Sequence, residues 1–238
     1  MADYFISDLH LSENNKESYN LLKGFLSTIK DDLNNLYILG DLFDYWLGDD
    51  CEYGFNTDVL NLFKNINDNC CVCLLVGNRD FLLSKKLLKK YNIILIDDPY
   101  LIDYKNNKTL ITHGDLFCLH DKNYAELRNK VRNKKWQQQF LSKPLIEREK
   151  FAKSLRDVSY DANQKKDNEI LDVSENLINE FVKKYKINTI IHGHTHKPAK
   201  HTMKNYTRYV TSDWYTDKLS YCKVINGLIS LQQYEVKQ

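Results

Sequence analysis

Asp8 and His10 stand two residues apart, directly after the short apolar run Tyr4-Phe5-Ile6. In extended chain such a pair points the same way, so a carboxylate and an imidazole could reach one cation together. The arrangement returns far along the chain, where His192-Gly193-His194-Thr195-His196 sets His194 and His196 two apart. Between these clusters lie Gly40-Asp41, Gly77-Asn78-Arg79-Asp80 and His113-Gly114-Asp115, each again closing an apolar run. One such cluster reads as a polar strand end satisfied by its own turn. Five of them, all offering oxygen or nitrogen, point to metal ligation.

The elements that must position these residues are short. Apolar runs at Tyr4 to Ile6, Leu36 to Leu39, Val72 to Val76, Leu110-Ile111 and Thr189 to Ile191 predict strands. Stretches with apolar residues at helical spacing, Tyr19 to Ile29 and Val59 to Ile66, predict helices between them. Strands alternating with helices imply an α/β layered fold around a largely buried sheet, with ligands at the carboxyl ends of the strands.

The chain has 238 residues, 42% hydrophobic and 28% charged, enough apolar surface for one domain with a sizeable insertion. Its net charge of +2 shows no basic excess that would argue for nucleic acid. No apolar run approaches the length of a membrane span, and Met1 to Leu11 lacks the charged and apolar regions of a signal peptide. The six cysteines fit neither paired zinc spacing nor a secreted disulfide framework, which predicts reduced thiols in the cytosol. Strand alternation points Cys71 and Cys73 to one face and Cys70 and Val72 to the other.

From Lys122 to Lys166 the character changes. This stretch holds 13 Lys and Arg against 5 Asp and Glu, a local net of +8 that leaves the remainder at −6. Trp136, Phe140, Leu141 and Phe151 recur there at roughly helical spacing, broken by Pro144. The plain reading is a basic solvated helix with one buried stripe. The sharper one is a helical insertion that covers the strand ends and grips a partly apolar anion.

The order Asp-x-His, Gly-Asp, Gly-Asn-Arg-Asp, His and Gly-His-x-His resembles the calcineurin-like metallophosphoesterase superfamily. That resemblance implies a layered α/β sandwich, here a single domain over 1–238 with a helical cap at about 122–168. It implies one metal held by Asp8, His10, Asp41 and His196, and a second held by Asp41, Asn78, His113 and His194, with Asp41 bridging. Carboxylate, amide and imidazole without thiolate favour two Mn²⁺ or similar borderline-hard ions. Two dications would activate a hydroxide, orient phosphoryl oxygens and stabilise the charge of in-line attack on a phosphate ester or anhydride. Many relatives have His where this chain has Arg79. An arginine is a poor acid but a good phosphate clamp, which points to a phosphate leaving group and hence a pyrophosphate bond.

The flanks Asp41-Leu42-Phe43-Asp44-Tyr45-Trp46-Leu47-Gly48-Asp49-Asp50, Gly77-Asn78-Arg79-Asp80-Phe81-Leu82 and His192-Gly193-His194-Thr195-His196-Lys197-Pro198 are similar to the UDP-2,3-diacylglucosamine pyrophosphatases, from Tyr4 to about Trp214. That closer resemblance implies a hydrolase of lipid A biosynthesis that releases UMP and the diacylated sugar phosphate. It implies substrate contacts at Asn78, Arg79, Asp121, Ser159, Asn163, Lys166 and His194, with Ser159, Asn163 and Lys166 sharing one helical face. It implies a UDP-linked diacylated glucosamine lipid as partner, no nucleic acid, and a cytoplasmic protein peripheral on the inner face of the bacterial inner membrane. Trp46, Phe81, Trp136 and Phe140 read as core by default, and the resemblance adds an acyl-chain groove between cap and sheet. Leu119-His120-Asp121 departs from that family's pattern, and His120 reads as a surface histidine. His192 and His201 read as structural or surface residues, since the ligand set is complete without them. Two other classes fit parts of the pattern: a metallophosphoesterase of cyclic nucleotides, nucleic-acid ends or phosphoproteins, and a non-catalytic scaffold on the same fold.

Overall fold

Tyr4-Phe5-Ile6 lies within β1 (Ala2–Ile6), all five of whose residues are buried, as befits a central strand covered on both faces. The computed structural model describes residues 1–66, 70–105, 107–118, 122–164, 173–214 and 218–235. β2 (Leu33–Leu39), β3 (Cys71–Leu75) and β4 (Ile93–Leu95) follow in parallel register on one side of β1. α1 (Lys16–Ile29), α2 (Phe55–Lys64) and α3 (Lys85–Lys90) make the crossovers. α1 starts where the Asn15 side chain accepts the Ser18 N–H, and it buries Leu21, Leu22, Phe25, Leu26 and Ile29 along one stripe.

A second sheet is built from β5 (Tyr100–Tyr104), β6 (Asn107–Thr112), β7 (Thr189–His192), β8 (Ala199–Thr202) and β9 (Thr207–Val210), in the order β5-β6-β7-β9-β8. β10 (Lys218–Ile225) and β11 (Leu228–Glu235) return to the first sheet as an antiparallel hairpin beside β1. Thus two sheets stack where the alternation of strands and helices alone suggested one. The reason is that β6 and β7 pair with each other and not with β4, so each sheet must bury a face against the other. Phe5, Leu39 and Leu75 meet Ile111, Ile191 and Tyr209 between the sheets. The first sheet's outer face packs under α1 to α3, and the second's under α7 (Glu175–Tyr185). Val72 and Leu74 turn to the helices while Leu75 turns inward, the alternation expected of β3.

Three helices, α4 (Lys122–Val131), α5 (Lys134–Leu141) and α6 (Leu145–Gln164), stand over the strand ends. Asn133 caps α5 by accepting the Lys135 and Trp136 N–H groups, and Pro144 precedes α6. Trp136, Phe140 and Phe151 form an aromatic cluster, with Trp136 stacked on Phe140 at 4.9 Å and Phe140 5.3 Å from Phe151. Phe81 joins from the core side, 6.4 Å from Trp136. Leu141 departs from the stripe: at the end of α5 it is 41% exposed. Among the described residues no helix is long and apolar enough to cross a membrane.

Candidate dimetal site

β1, β2 and β3 run parallel in one sheet and β6 and β7 parallel in the other, so the polar clusters at their carboxyl ends gather on one edge. Backbone bonds stitch the loops together: Asp8 N–H to the Gly40 carbonyl at 3.1 Å, His10 N–H to the Asp41 carbonyl at 3.0 Å, Gly193 N–H to the His113 carbonyl at 2.9 Å. Five residues here lie in the left-handed region, Asp8 (φ 55°), His10 (47°), Asp41 (52°), His194 (67°) and His196 (54°). Each costs on the order of 1 kcal/mol for a side chain with a Cβ, and such strain persists where the surroundings hold it for function. Two glycines are required by close approach. A Cβ at Gly77 would strike the Asp41 carboxylate, and one at Gly193 would strike Asp8 and Ser7.

The result is one crowd of donors. Asp8, His10 and His196 offer ligand atoms within 4.8 Å of one another, and so do Asp8, Asp41 and His113. Asn78 Oδ1 lies 2.8 Å from His113 Nε2, and the His194 ring stands edge-on to His113 at 5.0 Å. All seven expected ligands are therefore together. The donor set fits divalent cations on a second ground: Asp8 Oδ1 is buried and accepts no hydrogen bond, though His196 Nε2 is 3.3 Å away. An ionised carboxylate oxygen left so at a buried site is costly unless a cation meets it.

Electrostatics say the same. Burial pushes the Asp41 carboxyl up to about 7, with Asp80 and Asp8 adding to it and His113 and Arg79 resisting. Burial opposes ionisation of Asp8 too, but the His196, His113 and His10 imidazoles hold it below the usual carboxylate range. Burial works against charge on His113, yet Asp41, Asp8 and Asp115 raise it to about 9. His196 is likewise raised, to about 10, because Asp213 and Asp8 outweigh burial. His194 falls to about 4 by burial and the nearby His113, and His10 falls through burial and Arg79.

Behind the ligands stand groups that set their orientation. His113 Nδ1 is 2.9 Å from the Leu39 carbonyl, which leaves Nε2 for a metal. Asp213 Oδ2 is 3.1 Å from His196 Nδ1. Asp8 Oδ2 accepts from Ser7 Oγ at 2.5 Å and from the His194 N–H at 2.9 Å. Asp80, fully buried, accepts the Gly77 and Leu42 N–H groups at 2.7 and 2.8 Å. Sequence reasoning assigned no role to Asp80, Asp115 or Asp213. Asp80 and Asp115 stood inside the quoted motifs, whereas Asp213 carried no signal beyond its charge.

Arg79 is 36% exposed at its side chain, with Nη1 donating to Asp44 Oδ1 at 2.9 Å and Nε 3.7 Å from Asp41 Oδ2. His192 is buried, with Nδ1 2.8 Å from the Gly193 carbonyl and Nε2 3.2 Å from Arg208 Nη1. His201 lies on β8, opposite Arg208 of β9. Asp121, Lys166 and His120 lie outside the described residues, and for Ser159 and Asn163 the description covers only their place on α6.

Residues 4–198 match the family model described as calcineurin-like phosphoesterase. The chain is 39% identical over 222 residues to UDP-2,3-diacylglucosamine hydrolase of Haemophilus influenzae strain Rd, covering 93% of this chain and 94% of that one. It is 37% identical over 243 residues to the protein of the same name from Aliivibrio fischeri strain MJ11, covering 100% of both. Neisseria meningitidis serogroup A has another so named, 39% identical over 223 residues and 93% of each chain. Among solved structures, a novel archaeal phosphodiesterase superposes with a TM-score of 0.54 at 13% identity, covering 99% of this chain and 100% of that one, a likeness of fold alone.

Proposed function

The chain belongs to the calcineurin-like phosphoesterase family, and from that premise we propose that it hydrolyses the pyrophosphate bond of UDP-2,3-diacylglucosamine to UMP and 2,3-diacylglucosamine 1-phosphate in lipid A biosynthesis. The observation that carries the reading is the near end-to-end similarity to relatives named for that hydrolysis. Asp8, His10, Asp41 and His196 would hold one cation, and Asp41, Asn78, His113 and His194 a second. We assign both as Mn²⁺, from the mixed oxygen and imidazole donors. When bound, two such cations supply Lewis-acid activation of water and neutralisation of phosphoryl charge.

The chain's own residues do the rest. Arg79 binds a phosphate oxygen and stays charged throughout, since guanidinium does not give up its proton. Asp44 holds one edge of that guanidinium and leaves the remainder for substrate. Water would add to phosphorus as the P–O–P bond breaks, its oxygen staying on one phosphate product and its protons passing to the phosphate products and solvent. The departing phosphate monoester carries its own negative charge, so no acid need protonate it. Ser159, Asn163, Lys166 and Asp121 would bind the sugar phosphate beneath the cap, and Phe81, Trp136 and Phe140 would border its acyl chains. The basic cap, with Leu141 and Ile146 exposed, supports peripheral contact with the anionic inner leaflet of the inner membrane.

The test is Mn²⁺-dependent release of UMP from UDP-2,3-diacylglucosamine, run beside bis-(p-nitrophenyl) phosphate. A higher specificity constant on the UDP-lipid is expected. Preference for the generic diester would remove the reading in favour of another phosphoesterase.

A further inference from the structure

Tyr124 and Arg128 of α4 and Arg132, the residue just past its end, follow one another at four-residue spacing, and all three reach the same buried carboxylate. Tyr124 Oη donates to Asp115 Oδ2 at 3.1 Å, Arg128 Nε donates to it at 2.7 Å, and Arg132 Nη2 is 3.8 Å from it. Arg132 differs from the other two in what else it holds. Its Nη2 donates to the Gly77 carbonyl at 2.7 Å and the Val76 carbonyl at 3.3 Å, and its guanidinium sits 5.8 Å from the Phe81 ring centre. Gly77 is the residue whose missing Cβ makes room for Asp41, and Asp80 grips its N–H. Its carbonyl is thus held from the cap while its N–H is held from within its own loop. The next two residues are Asn78 and Arg79. A glycine's torsions are soft, so the peptide plane that follows it needs an outside tether to keep one orientation. A charge-assisted hydrogen bond to the carbonyl is a strong one.

We infer that Arg132 is a positioning residue: by holding the Gly77 carbonyl it fixes the Gly77–Asn78 peptide, so docking of the cap sets the pose of Asn78 and Arg79 as well as covering them. The inference rests on the reading of Arg79 as the phosphate clamp.

A double-mutant cycle tests it. Specificity constants on UDP-2,3-diacylglucosamine and on bis-(p-nitrophenyl) phosphate are measured at saturating Mn²⁺, where the route through Asn78 is silent, for wild type, Arg132→Ala, Arg79→Ala and the double variant. Arg132→Ala is expected to cost about tenfold or more in the wild-type background and less than about threefold once Arg79 is gone. Losses that simply multiply would overturn the inference. Mn²⁺ titration gives a readout that needs no turnover: Arg132→Ala should weaken one of the bound equivalents through Asn78. Arg128→Ala, which loosens the same helix without touching Gly77, should leave Mn²⁺ affinity within about twofold. Equal weakening by Arg128→Ala would assign the effect to cap docking in general and overturn the role of the carbonyl contact. If Arg132→Ala does not fold, Arg132→Lys, which keeps a charge but lacks the fork, takes its place with the same outcomes. A wild type active on the diester and inert on the UDP-lipid would remove the substrate reading while the cycle is still read on the diester.

Discussion

Asp41 is where the two groups of ligands meet. Its Oδ2 is 3.7 Å from His113 Nε2 and 4.0 Å from His10 Nδ1, and its Oδ1 accepts the Arg79 N–H at 2.9 Å. A carboxylate so placed can serve two cations, because two oxygens and a negative charge offset their mutual repulsion. Asp41→Ala is therefore expected to abolish activity and to lose more than one equivalent of metal, read by elemental analysis on protein whose circular dichroism is unchanged. Full occupancy in that variant would count against the bridging role. Arg79 poses a sharper question, since the family resemblance offers histidine as the alternative at this position. Its guanidinium is held by Asp44 and lies toward Asp41, the geometry of a clamp and not of an acid. Arg79→His should then cost on the order of 2–4 kcal/mol of transition-state stabilisation on the UDP-lipid. A variant at wild-type rate would make the arginine incidental.

At the scale of elements, the ligand loops were legible because each is local: an apolar run, then a polar cluster within a few residues. The supports were not. Asp213 reaches His196 from a loop beyond β9, and Arg132 reaches Gly77 from the turn that follows α4, so each looked like one charged residue among many. The edge strands of both sheets were half hidden for a related reason. β5, β8 and β11 have mixed or exposed faces, and periodicity is weak where only one side is covered. Asn226-Gly227 was an available signal: both have positive φ, 52° and 82°, as a two-residue hairpin turn requires. The cap's aromatic cluster was readable from spacing, but its anchor was not. Arg148 of α6 is 3% exposed and donates to the Leu47 and Lys143 carbonyls and to both Asp50 carboxylate oxygens. Arg148→Ala would leave buried carbonyls unmet, for a loss of about 1–3 kcal/mol in chemical denaturation. Bound Mn²⁺ should stay at the wild-type level, because Arg148 meets the loop after β2 only at Leu47 and Asp50, well past Asp41. Loss of metal with loss of stability would show that cap and metal centre unfold as one.

Across the whole molecule, charge is divided between a cap of +8 and a remainder of −6, and the strand ends concentrate buried carboxylates and imidazoles beneath the cationic cap. Without a cation that crowd must hold protons. His113 is raised to about 9 and His196 to about 10, so both hold protons at neutral pH in the metal-free protein; Asp41, raised by burial, holds one far more readily than a free carboxyl. His10 and His194 are pushed the other way and have none to give. A metal binds the deprotonated ligand, so each raised group must release its proton as a cation enters. The sign follows directly. Mn²⁺ affinity should rise with pH from 6 towards about 9, as the competing protons leave His113 and Asp41 unaided. Titration calorimetry at pH 7 in buffers of different ionisation enthalpy should show net proton release on Mn²⁺ binding, and Asp213→Asn, which removes the charge beside His196, should reduce it. An affinity independent of pH, with a binding enthalpy independent of buffer, would mean that the metal-free edge relaxes its charges by some route other than protonation of these ligands.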